Sequence, residues 1–245
     1  MNAYIEFARI YDELMEDIDY CSWMKFVKYT LDEYNKKPRD VLEMACGTGN
    51  FTRLLCEEDY NITAFDLSEG YVIHAYDKLD TYRNIRLIKQ DMVRFNINKE
   101  FDMVISVCDS INYITNYSEL VKTFDNVYLH LRAGGVFIFD VNSHYKLKKV
   151  IGNNTFVEDK EDVFYVWENE YDDVHDICEF YITFFVKEQG LYKRFDEVHV
   201  EKAYASSDIE NALRKSGFSV INVYNGYSRE LVKDDTERLT YFAIK

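Results

Sequence analysis

Glu43-Met44-Ala45-Cys46-Gly47-Thr48-Gly49-Asn50 puts an acid at the end of an apolar run, then two glycines one residue apart. An amphipathic pattern starts at once behind them. That order reads as a strand, a tight glycine turn and a helix N-terminus, where backbone N–H groups and the positive dipole end lie open to a ligand. The acid selects among ligands. A carboxylate beside the turn repels a pyrophosphate but suits a cofactor that carries an ammonium group, and S-adenosylmethionine fits that description.

Further acids follow at the ends of later apolar runs. Asp66 closes Asn61–Phe65 and lies 17 residues beyond Gly49. There a carboxylate can accept both ribose hydroxyls of an adenosine. Asp91-Met92 follows Ile85–Lys89, Cys108-Asp109 follows Phe101–Val107, and Asp140 follows Gly135–Phe139. The carboxyl ends of strands are where an open α/β sheet binds its ligands. A nicotinamide-dependent oxidoreductase is the competing reading, because Asp66 would serve its ribose equally well. Against it, Gly47-x-Gly49-x-x-Thr52 lacks the third glycine of the dinucleotide fingerprint.

The elements that hold these residues alternate between strand and helix from Asp40 to Val141, which predicts a parallel sheet with right-handed crossovers. Before it, Tyr4, Phe7, Ala8, Tyr11, Leu14, Met15 and Ile18 form one helical stripe, and Trp23, Phe26, Val27, Thr30, Leu31 and Tyr34 a second. Pro38 separates this pair from the first strand. After about Tyr145 the pattern changes to period two over Val163–Tyr171, Ile177–Glu188 and Tyr192–Ala205, as in an antiparallel sheet. Ser207 with Glu210 reads as a capping box, Gly217 as a helix stop, and Phe218–Tyr224 with Leu239–Ile244 as a closing strand pair. The expected fold is α/β: a seven-stranded, mostly parallel, doubly wound sheet with an antiparallel β insert as a lid. Its expected divisions are a helical pair over 1–37, a cofactor-binding core over 38–145 and 206–245, and a lid over 146–205.

Composition narrows the partners. With 29 basic against 44 acidic side chains the net charge is −15, and no Lys/Arg run offers a nucleic-acid footprint. No stretch approaches eighteen uninterrupted apolar residues and the N-terminus lacks a signal-peptide pattern, so a soluble cytoplasmic protein is expected. The five cysteines are scattered and form no CxxC pair, which suggests buried fillers rather than a disulfide framework or metal site.

Glu43-x-Ala45-x-Gly47-x-Gly49 resembles the acid-x-Gly-x-Gly-x-Gly signature of class I S-adenosylmethionine-dependent methyltransferases, with Glu for the usual Asp and Ala45 for the first glycine. The resemblance covers about residues 38–142 and 206–245, and it includes Leu131-Arg132-Ala133-Gly134-Gly135 before the fifth strand. It implies that Glu43 holds the cofactor's ammonium group, directly or through water, while Ala45, Gly47, Thr48 and Gly49 let the backbone approach. It implies further that Asp66 and Leu67 meet the ribose, that Asp91 and Met92 meet the adenine, and that Cys108-Asp109 holds the methionine portion. In similar small-molecule methyltransferases the N-terminal helices fold over the cofactor, which would bring Tyr11 close. The implied reaction is methyl transfer to a small-molecule N or O acceptor, with N favoured because no base stands out. A non-catalytic S-adenosylmethionine-binding module or partner subunit is the alternative.

His144, in the segment after the fifth strand, is the leading candidate base. Glu197 and His199 share one face of an inserted strand, and that face is expected to be solvated. Tyr4, Tyr11, Tyr113 and Tyr227 are candidates for an aromatic pocket wall. Glu168 and Glu170 are expected on an exposed strand face, and His74, His130 and His175 at the surface.

Overall fold

A computed structural model describes residues 10–245, with every side chain except that of Val220. Of the first expected helix, residues 10–14 are helical; the expectations for Tyr4, Phe7 and Ala8 lie outside the described residues. The chain then runs through α1 (Tyr20–Glu33), β1 (Asp40–Met44), α2 (Asn50–Glu57), β2 (Asn61–Asp66), α3 (Glu69–Lys78), β3 (Ile85–Lys89) and β4 (Phe101–Ser106). A 3-10 turn (Ser110–Tyr113), α4 (Tyr117–His130), β5 (Leu131–Asn142) and a π-helical turn (Lys146–Ile151) lead into the insert. Its strands are β6 (Thr155–Asp159), β7 (Val163–Asp172), β8 (Ile177–Glu188) and β9 (Leu191–Lys202). The chain returns through α5 (Ser206–Lys215), β10 (Val220–Asn225) and β11 (Arg238–Ile244).

Seven strands form one sheet in the order β10-β11-β5-β4-β1-β2-β3, and only β11 runs against its neighbours. β1 and β4 sit at its centre and are apolar on both sides, as strands covered by helices must be. Val27 and Leu31 of α1 pack with Leu54 and Leu55 of α2 against Val41, Ile105 and Ile138. On the other side Phe124 and Val127 of α4 join Ile209 and Leu213 of α5 against Leu42, Val104 and Phe137. The apolar stripes of the helices therefore cover both faces of the sheet and leave the carboxyl edge of its parallel strands to the loops.

The second sheet is antiparallel, in the order β6-β7-β8-β9. Its register aligns Trp167, Ile182 and Glu197 in one row, Asn169, Phe180 and His199 in the next, and Tyr171, Cys178 and Glu201 in a third. The sequence pattern missed β6 because its residues are nearly all exposed and show no apolar alternation.

Three further expectations need correction. β5 extends through Asn142, because β11 pairs with it from Val136 to Asn142, so Asp140 lies inside the strand and fully buried. The capping box does not form: α5 starts after Ala205 without a side-chain cap, and Ser206 Oγ accepts instead from Tyr241 Oη at 2.9 Å. Cys21 is exposed, although Cys46, Cys56 and Cys178 are the buried fillers anticipated. Among the described residues no helix is long and apolar enough to cross a membrane.

Candidate functional site

The loop after β1 makes three left-handed residues in five, with φ of +53° at Ala45, +55° at Gly47 and +85° at Gly49. Gly49 caps α2, and a Cβ there would lie 3.0 Å from Leu79 Cδ1 and 3.3 Å from Ala75 Cβ of the neighbouring helix. Gly49→Ala is expected to cost about 1–2 kcal/mol in urea unfolding, since an L-residue pays for left-handed geometry. An unchanged midpoint would refute the left-handed backbone at Gly49.

This loop forms one wall of a cavity of about 1090 Å³ that runs along the carboxyl ends of β1, β2, β3 and β4 and continues under the insert. Ala45, Gly47, Thr48, Asp66, Leu67, Asp91, Met92, Cys108 and Asp109 all line it. Asp66 is 8% exposed; its carboxylate accepts from Gly47 N–H at 3.0 Å and Ser68 N–H at 2.8 Å. Burial pushes its pKa up, and these backbone donors pull against that rise. Asp91 accepts from Val93 N–H at 2.9 Å, which fixes the turn that presents Met92. Gly49 itself stands behind the wall.

Cys108 and Asp109 are both left-handed, with φ of +58° and +50°. Two such residues in succession are strained and must be held by their surroundings. Asp140 accepts from Asp109 N–H at 3.0 Å, and Arg238 Nη2 donates to Asp109 Oδ1 at 2.8 Å.

Glu43 is 1% exposed and is not on the cavity wall; Ala45, Cys46 and Gly47, which follow it, are. Neither carboxylate oxygen has a hydrogen-bond partner within 3.5 Å among the described residues; the buried Thr52 hydroxyl is the nearby polar group, and it pulls the Glu43 pKa down. Burial first, then the charge of Asp66, raises Glu43 to about 8. A buried carboxylate with two unsatisfied oxygens fits a site completed by a cationic ligand.

Tyr11 lines the cavity, with its ring 5.4 Å from that of Tyr71. The neighbouring Asp12 ties this segment to the loop: it accepts from Thr48 Oγ at 2.6 Å and Asn50 Nδ2 at 3.0 Å and pairs with Lys78 at 2.6 Å. The sequence pattern did not single out Asp12, whose partners lie 36 to 66 residues away.

His144 is a correction. It is not on the cavity wall, and its Nε2 faces Asp176 at 3.3 Å and Tyr171 Oη at 3.4 Å. Tyr227 is also absent from the wall, because it stacks on Trp23 at 4.4 Å and donates to Asp140 at 2.6 Å. His130 is not a surface residue: its Nε2 accepts from Ile97 N–H at 3.0 Å and its Nδ1 bonds Asn126 O at 2.8 Å. Glu168 and Glu170 are exposed, as expected.

The far wall comes from the insert. Tyr165, Trp167, Phe180, Ile182 and Phe184 line it, together with His199 and Glu201. The face of β9 expected to be solvated is turned inward instead: Glu197 is 4% exposed and His199 half-buried, and Glu201, on the same face, is 2% exposed. Burial lowers the pKa of His199, and its Nδ1 lies 3.3 Å from Tyr113 Oη.

A glycine turn behind β1, acids at the carboxyl edge and one antiparallel strand near the end of the sheet are together the features of a Rossmann-like methyltransferase. Residues 41–135 match the family described as a methyltransferase domain. YqeM of Bacillus subtilis (strain 168), named a putative methyltransferase, is 32% identical over 99% of this chain and 97% of its own. An S-adenosylmethionine-dependent methyltransferase from Clostridium acetobutylicum ATCC 824 superposes with a TM-score of 0.91 at 43% identity, covering 99% of both chains. The sugar N-methyltransferase KedS8 from Streptoalloteichus sp ATCC 53650 shares the fold at 19% identity, with a TM-score of 0.78 over 95% of this chain and 90% of its own. The chain belongs to the class I S-adenosylmethionine-dependent methyltransferases.

Proposed function

We propose that the protein transfers a methyl group from S-adenosylmethionine to a nitrogen of a small-molecule acceptor held beneath the insert. The observation that carries this reading is the continuity of one cavity from the β1 loop to the aromatic inner face of β7 and β8. The bound cofactor supplies an already activated methyl group on a sulfonium, so the protein's task is alignment and exclusion of water. Asp66 accepts from the ribose hydroxyls, Asp91 and Met92 take the adenine, and the loop at Cys108-Asp109 holds the methionine portion. Glu43 acts from beneath the loop on the ammonium group, through water or the loop itself. Tyr11 closes the cofactor side, residues 38–145 and 206–245 serve as the cofactor core, and residues 146–205 as the acceptor lid. KedS8, by name a sugar N-methyltransferase, supports this reading only through its fold.

The test is a thermal-shift titration with S-adenosylhomocysteine, run beside NADH. Stabilisation that grows with the logarithm of S-adenosylhomocysteine concentration is expected, and none with NADH. Asp66→Ala should weaken S-adenosylhomocysteine by about 1–3 kcal/mol, through loss of charge-assisted hydrogen bonds. Unchanged affinity in that variant would remove Asp66 from the site.

A further inference from the structure

β9 carries ionisable residues at alternate positions, Glu197, His199 and Glu201, all turned to the inner face of the insert. Glu201 stands deepest at the core, 2% exposed yet on the cavity wall. Asn142, the last residue of β5, donates through Nδ2 to Glu201 Oε2 at 2.9 Å, and Lys146 Nζ donates to Asn142 Oδ1 at 3.0 Å. Glu201 and Asp109 line the same cavity, and the charge of Asp109 adds to the effect of burial on Glu201 while Lys146 and Arg238 pull against it.

The charges around it do not balance. Asp109, Asp140 and Glu201 face Arg238 and Lys146. Arg238 is engaged by Asp109 and Asp140 together, and Lys146 is turned to the Asn142 amide. Ionised, Glu201 would have no ion-pair partner of its own, and an uncompensated buried charge is costly. Burial accordingly pushes Glu201 well above the ordinary carboxylate range. A cationic group entering the cavity would satisfy it. Burial lowers the pKa of the neighbouring His199 and so favours its neutral form, which offers an ammonium no charge. Trp167 and Phe180 form the adjoining wall and suit the body of a ring-bearing amine by stacking and cation–π contact.

We infer that Glu201 is the catalytic residue that binds the acceptor's ammonium group and takes its proton, so that the acceptor is an amine that enters in its protonated form. The inference rests on the N-acceptor reading above. Binding of the ammonium ionises Glu201, whose own proton passes to solvent; one N–H proton of the ammonium then passes to a Glu201 oxygen, which leaves a neutral amine and a carboxylic acid. The nitrogen lone pair then forms the N–C bond as the S–C bond breaks, with that electron pair remaining on sulfur. The proton on Glu201 returns to solvent as the methylated ammonium departs.

The experiment uses the full chain saturated with S-adenosylhomocysteine and two probes of one shape, benzylamine and benzyl alcohol, with affinities read by ligand-observed NMR. Benzylamine is expected to bind about tenfold more tightly, and Glu201→Gln to abolish that preference while S-adenosylhomocysteine binds as before. Glu201→Asp, which keeps the charge, should retain part of it. Equal binding of the two probes by the unmodified protein, no binding of benzylamine, or an unchanged preference in Glu201→Gln would each overturn the inference. So would a variant that loses only its discrimination between S-adenosylmethionine and S-adenosylhomocysteine, since the charge would then serve the sulfonium. Failure of S-adenosylhomocysteine to bind at all would instead sink the cofactor reading, and the two failures are distinct.

Discussion

Arg238→Ala is expected to destabilise the protein by about 3–5 kcal/mol, the usual cost of leaving a buried partner's charge uncompensated. The guanidinium opens β11, bonds Asp140 through Nη1, bonds Asp109 at 2.8 Å through Nη2, and lies 5.5 Å over the Trp23 ring. Asp140 is fully buried. Burial raises its pKa and Arg238 is the main influence pulling it down, so without the arginine the carboxyl must hold a proton or carry a bare charge. The loss should therefore be largest near pH 8 and shrink toward pH 5, as acid increasingly favours the protonated form of Asp140. The same substitution releases the left-handed pair at Cys108 and Asp109, so affinity for S-adenosylhomocysteine should fall with stability. Urea unfolding at the two pH values checks this. A loss below about 1 kcal/mol at pH 8 would show that the carboxylates do not depend on the arginine.

Arg238 also shows where sequence reading stops. The strands of the main sheet were legible because apolar runs such as Val104-Ile105 must be buried on both faces, and runs of that kind announce a parallel sheet. The acids at their ends were legible for the same reason: once the strands are placed, Asp66, Asp91 and Asp109 fall on one edge, and all three line the cavity. Arg238 and Glu201 do not follow from any local pattern. They lie 129 and 59 residues from their partners Asp109 and Asn142, and only the docking of insert and last strand onto the core brings them there. Alternation put Glu197 and His199 on one face of a strand, but it could not say that this face is roofed over. The choice of His144 over His199 failed on the same point. β5 runs on to Asn142 and a π-helical turn begins at Lys146, and between them His144 is carried toward Asp176, while β9 returns His199 to the cavity. Asp12 was hidden for a different reason. It sits in a helical stripe read only for its apolar members, yet it clasps Thr48 and Lys78.

Glu43→Gln is expected to make the ligand-free protein more stable at pH 8 than the unmodified chain, and no more stable at pH 4. Burial raises the Glu43 carboxyl from the ordinary 4.5 to about 8. Below pH 4.5 it is protonated whether the chain is folded or not, so it contributes nothing. Between 4.5 and 8 the folded state holds a proton that the unfolded state releases, and stability falls as pH rises. Each pH unit across that window costs about 1.4 kcal/mol, so the penalty approaches about 5 kcal/mol by pH 8. Asp66 and Glu201 are also raised, so the unmodified protein alone cannot isolate the effect. The difference between the two proteins can, because the glutamine does not titrate. A carboxylate kept at this cost, with only the Thr52 hydroxyl near it to offset burial, is the expected form of a group that awaits a cation. Binding the cofactor's ammonium should drive off the proton, so S-adenosylhomocysteine should bind the unmodified protein more tightly as pH rises toward 8. Glu43→Gln should bind it more weakly and without that dependence. Urea unfolding and calorimetric titration at half-unit steps from pH 5 to 8 measure both. A flat stability difference across that range would mean that Glu43 is not held protonated by the fold, and its place beneath the loop would then be structural.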